Sequence, residues 1–170
     1  GQHLQALASH DRALALAPQH ADAWLNRGHA LLELHRLGDA IASFERAIDL
    51  RPRASTWLLL GSALEQAQRL PDALACFEKV VALEPDNLDG WLKFGGVLLQ
   101  LGRPDLALER IEVAQRLAPQ SPRVLLTQAA ALAKTRGDAA ALMPLLQAHA
   151  LAPDDLSVSM QLLYFMLKTA

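Results

Sequence analysis

The stretch Trp24–Pro52, WLNRGHALLELHRLGDAIASFERAIDLRP, decides the fold because the chain goes on to repeat it. Within it, Trp24 is followed by Gly28, Leu31, Ala40, Phe44, Ala47 and Pro52. The same order returns as Trp57, Gly61, Leu64, Ala73, Phe77, Val80 and Pro85, and again as Trp91, Gly95, Leu98, Ala107, Ile111, Ala114 and Pro119. A fourth copy keeps the phase but loses the marker residues: Leu125, Ala129, Leu132, Ala141, Leu145, Ala148, Pro153. Successive tryptophans stand 33 and 34 residues apart. Self-similarity at that period marks a stack of like supersecondary units, each needing its neighbours for a core.

Inside each copy the spacing predicts two antiparallel helices. Trp24, Gly28, Leu31 and Leu34 recur on one face of a first helix, and a second runs from about Asp39 to Leu50 with Ala40, Phe44, Ala47 and Ile48 inward. Glycine in a helix interior costs about 0.5–1 kcal/mol against alanine. Three at equivalent places therefore predict close helix approach, with buried tryptophans and phenylalanines filling the space between pairs. Pro52, Pro85, Pro119 and Pro153 are expected to stop the second helices. Ser121-Pro122 and Asp155 read as helix starts. Two irregularities stand out. Only five residues lead from Pro52 to Trp57, against six at the other junctions, which predicts a tighter turn. Pro144 falls inside the fourth second helix, where it should kink or delay it.

The Trp-Gly-Leu-Ala-Phe-Ala-Pro series resembles the tetratricopeptide repeat (TPR) family, and the resemblance covers essentially the whole chain. It implies an all-α fold, a right-handed superhelix of antiparallel helix pairs. The phase divides residues 1–170 into a truncated second helix (1–20), four full repeats (21–53, 54–87, 88–121, 122–155) and the first helix of a fifth repeat or a cap (156–170). Counting back from Pro52 reaches Pro18, with Ala6 and Ala13 in phase. Gly1 then falls in mid-repeat, and the expectation is a fragment of a longer, bacterial-type protein.

Composition narrows the function. Hydrophobic residues are 52% and charged residues 20% of the 170, which rules out the signature of disorder. The formal net charge is −2 with no basic block, so phosphate neutralisation has little to draw on and nucleic acid is not expected as a partner. No apolar run reaches the ~20 residues of a membrane span. The single cysteine, Cys76, excludes an internal disulfide and reads as a packed small hydrophobe. No G-x-x-x-x-G-K-[ST], H-E-x-x-H or C-x-x-C occurs. The six histidines are scattered; His3 and His10 could share a helix face, but two ligands with no carboxylate or cysteine completing the set make a weak metal site. Nothing pairs a nucleophile with a base. The expectation is a non-catalytic chain with no cofactor and no metal. The compartment stays open, with cytoplasm favoured over periplasm.

The resemblance implies that first helices line a concave groove, and helical geometry sets which side chains face it. These are Leu25, His29 and Leu32; Leu58, Ser62 and Glu65; Leu92, Gly96 and Leu99; Leu126 and Ala130, with Asn26, Lys93 and Gln100 flanking them. A leucine follows the tryptophan position in all four copies. The stripe reads either as a groove for a peptide or helical segment of a partner protein, or as packing between neighbouring first helices. The lysines, arginines and asparagines of chaperone-tail clamps are not matched by Lys93, Arg123 and Lys134. The asparagine ladder of O-GlcNAc transferases is reduced to Asn26. The string Gln161-Leu162-Leu163-Tyr164-Phe165 is nevertheless similar to the stretch by which bacterial transferases of that kind leave their repeats. A non-catalytic arm of a larger glycosyltransferase is therefore the alternative reading. The segment 156–168 is apolar nearly all round from Leu162, making it a candidate for self-association or for cover by further chain.

Overall fold

The helices expected from the repeat appear in order in the computed structural model, which describes residues 2–169. Gly1, and with it the expectation that the chain opens in mid-repeat, lies outside them. Helix α1 (Gln2–Leu16) comes first. The pairs α2 (Ala21–Glu33) and α3 (Leu37–Leu50), α4 (Ala54–Gln66) and α5 (Leu70–Leu83), and α6 (Leu88–Gln100) and α7 (Pro104–Leu117) follow. Then come α8 (Pro122–Arg136), a 3₁₀ turn at Asp138–Ala141, α9 (Leu142–Leu151) and α10 (Leu156–Thr169). The described residues hold helices and turns only, an all-α fold. They fall into two compact units, one ending at Pro85 and the other beginning at Asp86.

In the first unit α2 packs on α3 and α4 on α5, with α1 against α2 and α3 against α4. The glycines explain how closely. A Cβ built on Gly28 would come within 2.5 Å of the Phe44 ring, on Gly61 within 2.7 Å of Phe77, and on Gly95 within 2.8 Å of Ile111. Each opposing side chain is fully buried, so it has no room to retreat. Gly96 differs. It lies next to Gly95 but on the side expected to face the groove, and nothing lies within 4 Å of where its Cβ would be. The tryptophans also depart from expectation: Trp24, Trp57 and Trp91 are half-buried, and it is Phe44, Phe77 and Ile111 that fill the core.

The turns inside the pairs share one geometry. After α2, the His35 amide donates to the Leu32 carbonyl and the Arg36 amide to that of Leu31, both at 2.9 Å. After α4, Gln68 bonds Glu65 and Arg69 bonds Leu64; after α6, Gly102 bonds Leu99 and Arg103 bonds Leu98. This is the Schellman ending, which places one residue in the left-handed region. His35 (φ 56°), Gln68 (φ 60°) and Gly102 (φ 69°) occupy it, only the last as glycine. The junctions between repeats follow the predicted pattern. Three residues lie between α3 and α4, against four between α7 and α8.

In the second unit α6 packs on α7, α7 on α8, α8 on α9, and α9 on α10. Pro144 delays its helix as expected. The positions that start a second helix elsewhere form the 3₁₀ turn here, and α9 begins two residues before the proline. Pro144 thus sits in a first helical turn, where its missing amide is not needed. Around it Ala129, Ala141, Leu145 and Leu162 form one buried cluster, and Leu125, Ala148 and Val158 another. Asp155 caps α10 by accepting from the Ser157 and Val158 amides at 2.8 and 3.3 Å. Ser121 precedes α8 without a side-chain cap bond. The apolar character of α10 is split between two faces. Val158 and Leu162 are buried, while Leu156, Met160, Leu163, Tyr164 and Leu167 are exposed. Its Lys168 ammonium lies 2.7 Å from the Asp138 carboxylate, a bond that raises the lysine pKa.

Candidate partner-binding surface

The leucine after each tryptophan position lies one residue round the helix from the packed face, so its exposure depends on how tightly first helices abut. In the first unit Leu25, Leu32 and Leu58 are half-buried, as are Ser62 and Glu65, and Asn26 and His29 are exposed. The His29 ring meets the Phe44 edge at 5.8 Å between centroids, so one side of the imidazole is fixed and the other is free. The second unit is tighter. Leu92 and Leu99 are buried, at 7% and 9% exposure, where α6 approaches α8. They contribute packing there and little surface. The Leu99 carbonyl also accepts from the Lys134 ammonium at 3.4 Å. Lys93, Gly96, Leu126 and Ala130 remain half-buried and Gln100 exposed. Leu126 packs against both buried clusters of that unit. The fourteen positions named from the sequence therefore divide by unit. α2 and α4 present partly open leucines beside polar groups, while α6 withdraws both of its leucines.

The sequence reading missed a polar network on the opposite side of the first pair. Arg27 donates from Nε to Asp11 on α1 and from Nη1 to Ser43 on α3, both at 2.7 Å. Ser43 is fully buried and donates onward to the Asp39 carbonyl at 2.8 Å. The only available sign was an arginine three residues after a tryptophan, with a serine just before the packed phenylalanine. Cys76, in contrast, is the small buried residue expected. Burial, with help from the Asp72 and Glu45 carboxylates, pushes its thiol up to about 11. Among the described residues no cluster of three potential metal ligands occurs, and no helix is long and apolar enough to cross a membrane.

Two tetratricopeptide repeat family models match the sequence, one over residues 21–53 and one over residues 58–122, together more than half of the chain. The chain is a TPR protein. Its fold is shared with solved structures of low sequence identity. One is YrrB, described as a TPR protein with an unusual peptide-binding site (TM-score 0.82, 23% identity, covering 96% of this chain and 82% of that one). A second is MamA (TM-score 0.82, 22% identity, 92% and 88% covered). A third is TTC0263, a thermophilic TPR protein of Thermus thermophilus (TM-score 0.76, 21% identity, 98% and 92% covered). Compared with curated proteins, the sequence gives no significant match. The family assignment accounts for the Schellman turns and the Gly–Phe contacts as one unit repeated. It carries no partner with it, since function lies in the site and not in the architecture.

Proposed function

We propose that this TPR protein is a non-catalytic interaction scaffold that holds a peptide or helical segment of a partner protein. The observation that carries the proposal is the face of α2 and α4, where Leu25, Leu32 and Leu58 stay partly open beside Asn26, His29 and Glu65. Apolar side chains at the rim of a rigid helix stack gain about 25 cal/mol per Å² covered by a partner. The neighbouring amide, imidazole and carboxylate fix its register by hydrogen bonds. The peptide-binding site named for YrrB supports the mode, though identity of 23% leaves the chemistry of the segment to this chain's own residues. In the second unit Gly96, Ala130 and Lys93 offer a shallower surface of the same kind.

Selection from a displayed peptide library on the whole chain tests the reading. The selected peptides should be rich in apolar residues. Their binding should fall at least tenfold with Leu58→Asp and with the paired change Asn26→Ala, His29→Ala, whose sites are exposed and leave the fold intact. Peptides that bind these variants unchanged would remove the proposal.

A further inference from the structure

The cleft between α3, α4 and α5 is the second occurrence of a place that the first repeat has already filled. In the first, between α1, α2 and α3, the Arg27 guanidinium lies 5.7 Å from the Trp24 ring centroid and bonds Asp11 and Ser43 at 2.7 Å each. One repeat later the periodicity turns Asp11 into Glu45, Trp24 into Trp57, Arg27 into Leu60 and Ser43 into Cys76. The carboxylate and the indole are kept, and the cation is gone. What remains is a cleft of about 300 Å³ with Ile48, Trp57, Leu60 and Cys76 as its apolar wall, and Glu45, Asp49 and the mutually paired Arg69 and Asp72 as its charged lining. Asp49 meets Arg46 only at 3.9 Å, and Arg69 is held by Asp72 at 2.7 Å. Glu45 is exposed and bonds no group among the described residues. In the third repeat an arginine returns from the other side: Arg110 stands at the Cys76 position and lies 5.5 Å over Phe94. Of the three repeats that carry the tryptophan, the second alone has an arginine at neither position; the fourth, with Gln128 and Pro144 there, lacks the indole as well.

We propose that this cleft takes an arginine side chain from a partner polypeptide, its guanidinium set between the Glu45 carboxylate and the Trp57 face as Arg27 is set one repeat earlier. A planar guanidinium stacks on an indole while its edge donates to a carboxylate, a combination that a compact ammonium meets less well. The aliphatic stem covers Ile48 and Leu60. The site lies apart from the leucine face of α2 and α4 and does not depend on it.

The test follows the Trp57 indole N–H resonance of the whole chain during titration with N-acetyl-arginine amide, its lysine counterpart, and its citrulline counterpart, which keeps the shape without the charge. The arginine compound should move Trp57 and leave Trp91 in place, the lysine compound should bind several-fold more weakly, and citrulline should have no effect. Glu45→Gln, at an exposed position that leaves the fold intact, should weaken arginine binding about tenfold. Leu60→Arg combined with Cys76→Ser rebuilds the first-repeat network and should abolish the response. Equal shifts from citrulline, an unmoved Trp57, or undiminished affinity in Glu45→Gln would each overturn the proposal.

Discussion

Gly61 and Gly96 occupy helix interiors of the same type, yet their surroundings predict opposite responses to one methyl group. At Gly61 the new Cβ would lie 2.7 Å from Phe77 and 3.1 Å from the Cys76 Cβ. Gly61→Ala should destabilise by about 1–3 kcal/mol, the usual effect of overpacking, despite alanine's better helix propensity. At Gly96 there is open space, so Gly96→Ala should stabilise by roughly 0.5–1 kcal/mol. Urea titration of the pair checks both signs. Cys76 gives a pH-dependent outcome. Its folded pKa, about 11, lies above the ordinary 9.0, so between those values the unfolded chain releases a proton that the folded chain keeps. Its contribution is fully present below pH 9 and is lost as pH rises towards 11. Cys76→Ala should flatten that part of the stability profile. Sequence could mark Gly61 because three glycines recur at one phase. Gly96 falls outside that phase, on the side expected to face the groove, but how much open space it has depends on which neighbours arrive.

At the scale of the element, the helices were legible because proline, glycine and apolar spacing agree on them. Even the late start of α9 follows from Pro144 alone. The turns were not legible, because two of the three left-handed positions lack glycine, the residue that would advertise them. Gln68 holds φ at 60° with a side-chain bond of only 3.4 Å to the Glu65 carbonyl. Relief of that strain outweighs the added freedom of the unfolded chain, so Gln68→Gly should stabilise by about 0.5–1 kcal/mol. Gly102→Ala, which places a Cβ at φ 69°, should destabilise by about 1 kcal/mol. A thermal melt that ranks the two the other way would mean that these turns relax out of the Schellman geometry. The candidate surface shares the difficulty. The leucine stripe was readable as a stripe, but whether a leucine is open or closed depends on how near the adjacent first helix lies. That distance divides Leu25, on α2, from Leu92, on α6, and no residue type encodes it.

At the scale of the molecule, the order of contacts determines how damage should spread. Within the first unit each helix packs chiefly on the one before and the one after, α1 through α5, and within the second unit α6 through α10 do the same. Stability in such an arrangement is close to a sum of local terms and nearest-neighbour terms. Phe44→Ala removes a fully buried ring from between α2 and α3 and should cost about 3–5 kcal/mol. That loss falls on the pair that holds the ring and on the helices touching it. Native-state amide exchange should therefore speed up most in α2 and α3, less in α5, and least in α8 and α9. A single cooperative core behaves otherwise, because there the same substitution lowers every globally exchanging amide by the full amount. Uniform acceleration from α2 to α9 would show that the chain unfolds as one body and that the repeat is a pattern of sequence and geometry without being the unit of stability.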